Sequence, residues 1–416
     1  MADAPASAPP PAMAAPKVGF SLSTEEKFVS QCKEVLGEER SVVIKFMQDE
    51  QQWRREREAR EGFELESRFV VQALPAPADD DFQRAIENLE GGLHKFVEKH
   101  LPPGITLGKR ALVMDKADRN LLQIFQQERP GTDAVRSMAR QVILAVQHLH
   151  QRGLAHGDIK ALNVSPNPRA RAPSLTRRFR AQAVRFARDQ QLRLIDLDAA
   201  VRISGGFAGA KFSSAVLPPE MIYELKDDDE LRQIREYWRE EMESDTELWR
   251  KIAPKANKFV VKSFRTVDGA PDLSRPLPYN LVEASAAIDL WSLGALIFLL
   301  IMGETLVPSN RDDDCVDETA MATLCGWSDE TTRERLGKVD NIAARDLLSH
   351  LLVVAPAQRL AYSRDDALNH VFFDPDNADK QRELEKASFL DRVNARPPAP
   401  FQQQDFERLW QSSGQE

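Results

Sequence analysis

Cysteine is scarce in this sequence. Cys32, Cys315 and Cys325 are the only three in 416 residues. They are odd in number, and no metal-ligand spacing appears among them. These absences argue against a disulfide-stapled secreted protein and predict reduced thiols in an intracellular protein, either cytoplasmic or nuclear.

Long hydrophobic runs are also lacking. The longest, Leu293 to Met302, contains Gly294 and is shorter than the roughly 20 residues that a membrane-spanning helix needs. We therefore expect no membrane span and interpret this run as a buried helix. The first 16 residues, MADAPASAPPPAMAAP, have neither the basic nor the apolar region of a secretory signal, and their Ala/Pro-rich composition predicts disorder.

There is no excess of positive charge. The 56 Lys and Arg residues are outnumbered by 65 Asp and Glu residues, which gives a net charge of −9. This balance argues against nonspecific nucleic-acid binding as the main role, and we expect no nucleic-acid partner. The hydrophobic content of 42% is that of a globular protein, and the length allows one large two-lobed domain or two ordinary ones.

The first part of the chain is rich in predicted strands. SVVIKFM (41–47), SRFVVQAL (67–74) and RALVMD (110–115) are short apolar runs typical of strands. A charged helix, QQWRREREAREGFELE, is predicted after the first of them. Between residues 75 and 105 we expect a Pro/Asp-rich loop and the amphipathic helix FQRAIENLEGGLHKFVEKH.

The second part is helical. DAVRSMARQVILAVQHLHQRG (133–153) has apolar residues at helical spacing and Gly153 as a stop. A β-rich part followed by a helical part predicts an α+β protein with two lobes and a hinge near Met114–Arg119.

Two segments have the character of inserts. Residues 165–190 are rich in Arg, with Pro and Ser, and predict a mobile loop. The alternative is a surface that presents positive charge to an acidic substrate. Residues 224–251 predict a charged helix with an apolar stripe. That helix either packs on the core, which we favour, or docks a regulatory partner.

One loop carries the residue types that phosphoryl transfer needs. In HGDIKALNV (156–164), Asp158 offers a carboxylate, Lys160 a cation and Asn163 an amide oxygen. A carboxylate can face the attacking hydroxyl, a cation can neutralise the phosphate, and Mg²⁺ prefers oxygen ligands. The alternative is an ordinary turn between a helix and a strand. Downstream, the strand LRLIDLDAA (192–200) ends in Asp196, which is either a second metal-binding carboxylate or, with Asp198, a turn cap.

With these motifs in order, residues 27–375 resemble a eukaryotic-type protein kinase. VVIK resembles the strand motif whose lysine, here Lys45, holds the α- and β-phosphates of ATP. Its glutamate partner on the next helix would be Glu58, or alternatively Glu61. RALVMDKADRN resembles the fifth strand and hinge, so that Met114 would be the gatekeeper and the range from Asp115 to Ala117 would touch the adenine edge.

HGDIKALN resembles the catalytic loop of that family. The resemblance implies that Asp158 is the catalytic base, Lys160 contacts the γ-phosphate and Asn163 is a magnesium ligand. IDLD stands where the family has Asp-Phe-Gly, which implies the main Mg²⁺ role for Asp196. His156 would be a structural residue that packs against the Asp196 region. ATP and Mg²⁺ are the implied cofactors.

Three further motifs resemble those of protein kinases rather than small-molecule kinases. LPPEM, with Glu220, would end the activation segment, and Asp289 on the long buried helix would hold the catalytic-loop backbone. Arg359 would pair with Glu220. Lys160, two residues after the base, is the serine/threonine-type arrangement. The implied substrate is therefore a protein hydroxyl.

The resemblance also implies domain boundaries. The predicted order is an Ala/Pro-rich N-terminus, a small β-rich N-lobe, a larger helical C-lobe with two inserts, and a C-terminal tail. The corresponding ranges are 1–16, 17–114, 115–378 with inserts near 165–190 and 224–280, and 379–416.

The pattern departs from the family at three places. Upstream of Lys45 only Gly19 and Gly37 occur, so the glycine-rich loop that lets backbone N–H groups approach phosphates is missing. Asp198 replaces the usual glycine after Asp196 and Leu197. Gly157 replaces the arginine that often receives an activating phosphate. The candidate phosphosites of the activation segment are its serines: Ser204, Ser213 and Ser214.

Three functions remain open on the sequence. The favoured one is a Ser/Thr protein kinase that uses Mg-ATP. The second is a pseudokinase, which binds partners as a scaffold, and the third is a phosphotransferase with a non-protein substrate.

Overall fold

The structure is a computed structural model. It describes residues 18–22, 28–33, 39–47, 50–74, 110–160, 183–186, 189–210, 212–244, 246–267, 270–310, 313–362 and 364–394. Several predictions fall outside these residues: the disordered start, the amphipathic helix within 75–105, Asn163, residues 165–182 and the tail after Asn394.

The first four strands form one antiparallel sheet in chain order. They are β1 (Val18–Leu22), β2 (Phe28–Lys33), β3 (Glu39–Met47) and β4 (Arg110–Asp115). The strands predicted at 41–47 and 110–115 are confirmed. The register places Lys45 opposite Leu112 and Val43 opposite Met114, so the predicted phosphate-binding lysine and the predicted gatekeeper lie on adjacent strands.

The predicted charged helix after β3 is also confirmed, as α1 (Glu50–Gly62). The prediction of a strand at 67–74 is wrong. Residues 67–69 form a turn, and only two isolated bridges follow, Val70 with Leu194 and Ala73 with Met114. The segment changes its partner strand within three residues, which prevents a continuous ladder although the side-chain pattern is that of a strand.

The remaining strands are short and pair in twos and threes. They are β5 (Arg119–Asn120), β6 (Leu154–Ala155), β7 (Ala183–Arg185), β8 (Leu192–Leu194), β9 (Val201–Arg202), β10 (Phe207–Ala208), β11 (Ile222–Glu224), β12 (Phe259–Val261), β13 (Thr266–Val267), β14 (Ala270–Pro271) and β15 (Val282–Glu283). β7 lies inside the segment predicted as a mobile loop and pairs with both β5 and β8. At Ala183–Arg185 that prediction is therefore wrong.

Helices dominate the rest of the described chain. They are α2 (Leu121–Glu128), α3 (Thr132–Gln151), α4 (Asp228–Tyr237), α5 (Arg239–Ser244), α6 (Thr246–Ile252), α7 (Ala286–Met302), α8 (Glu318–Cys325), α9 (Asp329–Leu336), α10 (Ile342–Leu351), α11 (Pro356–Ala361), α12 (Arg364–Leu368) and α13 (Ala378–Asn394). The mixed α+β class and the helix predicted at 133–153 are confirmed.

The main core is built around α7. This helix is apolar on nearly every face, and its residues from Leu293 to Leu300 are buried among α3, α10 and α11. A helix that is hydrophobic all round belongs in the interior of a large domain, so the predicted buried helix is confirmed. Among the described residues, no helix combines the length and the apolar character that crossing a bilayer requires.

The charged insert is not the single helix predicted at 224–251. It contains three short helices, α4, α5 and α6, after the strand β11. The predicted stripe consists of Leu231, Ile234, Trp238 and Met242. The first three are buried in a second apolar cluster, whereas Met242 is exposed. Three members of the stripe thus pack inside the protein, as the favoured interpretation expects.

Candidate active site

Lys45 is the centre of the site. It lies on β3, and its Nζ is 2.5 Å from Oε2 of Glu56 on α1. The prediction of Glu58 as the partner is wrong, and so is the alternative Glu61, because both are exposed on the other side of the helix. Helical spacing explains the difference: the buried positions of α1 are 56, 59 and 60, which share one face.

Arg60 fixes Glu56 in place. Its Nη2 is 2.7 Å from Oε1 of Glu56, one helical turn earlier, and its Nη1 donates to the carbonyl of Val71. Both side chains are almost completely buried. A charged pair in such surroundings needs every hydrogen bond it can make. Arg60 thus supports the carboxylate that faces Lys45.

Asp196 approaches Lys45 from the opposite side. It follows β8, and its carboxylate contacts the Lys45 ammonium. Its backbone is left-handed, with φ +66° and ψ +57°, a conformation that non-glycine residues seldom adopt outside tight turns and functional sites. A short 3₁₀ helix, Leu197–Ala199, then lies against α1, where Arg55 Nε donates to the Asp198 carbonyl at 2.9 Å.

Asp198 adds a third carboxylate around Lys45. Its Oδ2 is 3.7 Å from Nζ, and its side chain is buried. Burial by itself lowers the pKa of Lys45, but the charges of Asp196, Glu56 and Asp198 outweigh it and hold the pKa well above its ordinary value. Lys45 is therefore a firmly protonated cation.

The three carboxylates also form a potential cation site. Oxygen atoms of Glu56, Asp196 and Asp198 lie within 4.8 Å of one another. Carboxylate oxygens are the ligands that Mg²⁺ prefers. Because Glu56 is held between Lys45 and Arg60, the two residues that fit a bound Mg²⁺ best are Asp196 and Asp198.

The second part of the site is the loop after β6. Asp158 and Lys160 are both buried, and Oδ1 of Asp158 is 3.0 Å from Nζ of Lys160. Lys160 also donates to the hydroxyl of Ser213. The sequence interpretation treated Ser213 only as a candidate phosphosite. Ser213 lies seven residues before Glu220. This spacing was the available signal that Ser213 belongs to the turn that faces the loop of Asp158 and Lys160.

Asp289 connects this loop to the core. It is fully buried on α7 and accepts hydrogen bonds from the backbone N–H of His156 at 2.7 Å and of Gly157 at 2.9 Å. His150 Nε2 donates to the same carboxylate at 2.8 Å. Burial raises the pKa of Asp289, but the hydrogen bond and charge of His150, the charge of His156 and the Gly157 amide together hold it below the ordinary value. The loop backbone is thus anchored by an ionised carboxylate.

Gly157 has a steric reason to be glycine. Its φ is +75°, and a Cβ there would stand 2.8 Å from the carbonyl oxygen of Ala199. No larger residue fits without moving the 3₁₀ helix after Asp196. Next to it, His156 is fully buried and its Nε2 donates to the Ile195 carbonyl at 3.2 Å, beside Asp196.

Glu220 and Arg359 form a bidentate ion pair. Nη2 of Arg359 is 3.1 Å from both carboxylate oxygens, and the guanidinium, fully buried, also donates to the carbonyl of Ala287 at 2.9 Å. Burial raises the pKa of Glu220, and the charge of Arg359 offsets part of this rise. The pair joins the end of the activation segment to α7 and α11.

The predicted hinge lies beside a small apolar cluster. Met114 at the end of β4 packs with Val71 and with Val184 and Phe186, and Ala117 and Ile195 are partly buried against them. Asp115 is the last residue of β4. Val184 and Phe186 were missed by sequence reasoning because they lie in the Arg-rich segment. The only local signal was a group of apolar residues within the Arg-rich stretch, namely Ala183, Val184 and Phe186.

The three candidate phosphosites differ in exposure. Ser213 and Ser214 are buried, and Oγ of Ser214 accepts from the backbone N–H of Cys315 at 2.9 Å. Ser204 is exposed, in a turn with φ +59°. Only Ser204 of the three could be reached by another enzyme without local opening.

Comparison with known proteins gives one partial similarity. No protein-family model matches the sequence. Over 131 residues the chain is 33% identical to a calcium and calcium/calmodulin-dependent serine/threonine-protein kinase of Lilium longiflorum. The matched stretch is 31% of this chain and 23% of the relative, so the chain spans about a quarter of the length of the curated relative that it matches. The chain is thus an α+β protein with partial similarity to a Ser/Thr kinase.

Proposed function

We propose that the protein is a Ser/Thr protein kinase that transfers the γ-phosphate of Mg-ATP to protein hydroxyls. The observation that carries the proposal is the ion pair of Lys45 with Glu56 beside Asp196. In protein kinases the lysine–glutamate pair and the metal-binding aspartate must both be in place for activity. The partial similarity to a Ser/Thr kinase supports the same assignment.

The residue roles follow from the kinase resemblance. Lys45 contacts the α- and β-phosphates, and Asp158 accepts the proton of the attacking hydroxyl. Lys160, which lies 3.0 Å from Asp158, contacts the transferring phosphate. Bound Mg²⁺ would supply charge neutralisation at the phosphates, and Asp196 and Asp198, with Asn163 as the resemblance implies, would hold it. The adenine would lie at the hinge.

The adenine site combines predicted and newly identified residues. The edge of the base meets Asp115 and Ala117, with Met114 as the gatekeeper. Val184 and Ile195 supply an apolar surface next to Met114. Pockets for small ligands are mostly apolar with a few convergent polar groups, and backbone groups of the hinge would provide the polar ones.

The same proposal includes the two-lobed architecture. The four-stranded sheet and α1 belong to an N-lobe over residues 17–114, and the helical part to a C-lobe over 115–378. A protein substrate is favoured because Asp289 and the Glu220–Arg359 pair are features of protein kinases. Lys160 indicates serine or threonine as the acceptor. We also assign the protein to the cytoplasm or nucleus.

Phosphate transfer from labelled Mg-ATP to a generic basic protein tests the proposal. We expect incorporation by the unaltered protein and its loss in both Lys45→Met and Asp158→Asn. Since Glu58 is exposed on α1, Glu58→Gln serves as the control and should retain the rate. Equal incorporation by all the variants, or none by any, would contradict the proposal.

A specific observation favours a second candidate, a pseudokinase that binds partners as a scaffold. The three buried carboxylates around Lys45 are offset by two cations, Lys45 and Arg60. The remaining negative charge repels phosphates unless a further cation is bound. Under this alternative, Mg-ATP does not raise the unfolding temperature. Under the kinase proposal it raises that temperature, and ATP with EDTA raises it much less.

A further inference from the structure

The activation segment, residues 196–220, contacts the chain that follows it from Ser204 to Gly209 and again at Phe212. We call residues 221–285 the brace segment; it runs from Met221 to the start of α7. It includes β11 to β15 and the helices α4, α5 and α6. The brace segment has its own apolar cluster, which is separate from the main core.

Backbone pairing joins the two segments at the C-terminal end of the brace segment. β10 of the activation segment pairs with β15, with Phe207 opposite Glu283. The N–H of Ala284 donates to the carbonyl of Gly206 at 2.9 Å. Within the brace segment, β11 pairs with β12, and the N–H of Lys262 donates to the carbonyl of Met221, the first residue after the activation segment, at 2.7 Å.

Gly209 marks the closest approach. Its φ is +119°, and a Cβ there would stand 2.5 Å from the carbonyl oxygen of Lys262 and 3.2 Å from Cα of Ser263. A backbone atom cannot move aside as a flexible side chain can. The activation segment therefore lies directly on the backbone of the brace segment at this point, with no room for a side chain.

Phe212 makes the side-chain connection. It is half-buried and packs against the apolar cluster of the brace segment, whose buried members include Tyr237, Trp238 and Tyr279. Tyr279 is itself fixed, because its hydroxyl donates to the carbonyl of Ser263 at 2.9 Å. Burial of an aromatic ring in such a cluster is a strong apolar anchor.

The anchor adjoins the candidate active site. Ser213, the residue after Phe212, accepts a hydrogen bond from Lys160, and Lys160 lies 3.0 Å from Asp158. Displacement of Phe212 would move Ser213 and with it the ammonium of Lys160. The contact from Phe212 through Ser213 to Lys160 involves no phosphate. The residue before Asp158 is Gly157 and not the arginine that would bind a phosphate.

We propose that Phe212 is a positioning residue and that the brace segment holds the activation segment in its ordered conformation without phosphorylation. The catalytic part of this inference rests on the proposed kinase function, whereas its structural part does not. Internal packing by residues 221–285 takes the role that a phosphate–arginine contact would otherwise play. Lys160 is therefore held in place whether or not the activation segment is phosphorylated.

Hydrogen exchange tests the structural part without reference to activity. In Phe212→Ala, deuterium uptake over residues 204–217 should become at least about tenfold faster than in the unaltered protein. Phe212→Leu, which keeps part of the apolar contact, should fall between the two. The matched control is Leu273→Ala, which removes an exposed apolar side chain of the same segment and should leave uptake unchanged. Equal uptake in Phe212→Ala and Leu273→Ala would overturn the inference.

Kinase assays test the catalytic part. Protein treated with a phosphatase, which is then removed, should transfer phosphate at the same initial rate as untreated protein, and so should Ser204→Ala. Phe212→Ala should lose up to about 100-fold in rate. A rate that collapses after dephosphorylation or in Ser204→Ala would refute phosphate independence. If the unaltered protein transfers no phosphate, the kinase proposal fails, and hydrogen exchange alone decides the structural part.

Discussion

Glu56 and Glu58 stand two positions apart on α1, and only Glu56 faces Lys45. Two residues on a helix are rotated by about 200°, so neighbours at this spacing lie on opposite faces. The sequence contained the signal, because Trp53, Glu56, Ala59 and Phe63 follow one helical stripe. Glu58 was expected because of its distance to the strand predicted at 67–74. Such a distance measures position along the helix but carries no information about the face.

Matched substitutions of these two glutamates separate a site residue from a surface residue. Glu56→Gln removes the one charge from α1 that orients the Lys45 ammonium, and we expect phosphate transfer to fall about 100-fold. Glu58→Gln should change the rate by no more than about twofold, as is usual for surface substitutions. Steady-state kinetics measure both, and similar losses in the two variants would contradict the assignment of Glu56.

Gly157 and Gly153 offer a second matched pair. Both have a left-handed backbone, at φ +75° and +76°, but a Cβ on Gly153 would meet nothing within 4 Å. Each change to Ala costs about 1–2 kcal/mol for the conformation. Gly157→Ala should cost about 1–3 kcal/mol more, because of the contact with the Ala199 carbonyl. Equal losses in urea unfolding would show that this contact does not constrain Gly157.

At the scale of elements, the sequence predicted best those strands and helices whose apolar residues pack against a single neighbouring part of the fold. β3, β4 and α3 were predicted within a few residues of their bounds, and the apolar run from Leu293 to Met302 identified the C-terminal part of α7. The segment 67–74 has the same composition as a strand but meets two different partners. Its failure to form a strand is a tertiary effect that local propensity does not contain.

The elements around the candidate site were harder to predict for a related reason. β7 interrupts an Arg-rich stretch, and the brace segment folds into three short helices where one was expected. In each case the apolar residues are few and their partners lie far away in the chain, as with Phe212 and Tyr279. Asp158, Asp196 and Asp289 could be identified because their motifs are local. The sequence held signals for Glu56 and Ser213 as well, but the side chains that they contact, Lys45 and Lys160, became evident only from the packing of distant elements.

Asp289 joins α3, α7 and the loop of Asp158, and its protonation should weaken that junction. Its pKa is lower in the folded protein than the ordinary 3.8. It therefore stabilises the fold fully above that value and loses this contribution as the pH falls through the folded pKa. The difference in unfolding free energy between the unaltered protein and Asp289→Asn should therefore shrink as the pH is lowered from about 5 to about 2, a range that spans the ordinary Asp pKa. Chemical unfolding at several pH values measures it, and a constant difference would contradict the assignment.

The whole molecule brings residues from widely separated parts of the chain to one place. Lys45 and Glu56 come from the first sheet and α1, Asp158 and Lys160 from the loop after α3, and Asp196 from the end of β8. Charge is the unusual feature of this arrangement, since Asp198 adds to the carboxylates around Lys45. Under the kinase proposal, that excess predicts nucleotide binding that depends on a divalent cation.

Asp198→Gly provides a direct test of this charge effect. The substitution removes one carboxylate near the Lys45 ammonium, so affinity for ATP in the absence of divalent cations should rise several-fold, in keeping with like-charge effects on bound anions. Affinity for Mg-ATP should not rise in parallel, because Asp198 is also one of the two carboxylates that best fit the bound cation. Isothermal titration with ATP and EDTA, and separately with Mg-ATP, measures both, and a fall in EDTA affinity would contradict the charge account.

The central claim is that Asp158 acts in phosphoryl transfer at a site that holds Mg-ATP. The most direct measurement compares the unaltered protein with Asp158→Asn, both for phosphate transfer to a basic protein and for Mg-ATP binding by titration. A general base contributes about 10²- to 10⁴-fold, so we predict a rate loss of that size with nearly unchanged nucleotide affinity. Equal transfer rates in the two proteins, or no transfer by the unaltered one, would contradict the account.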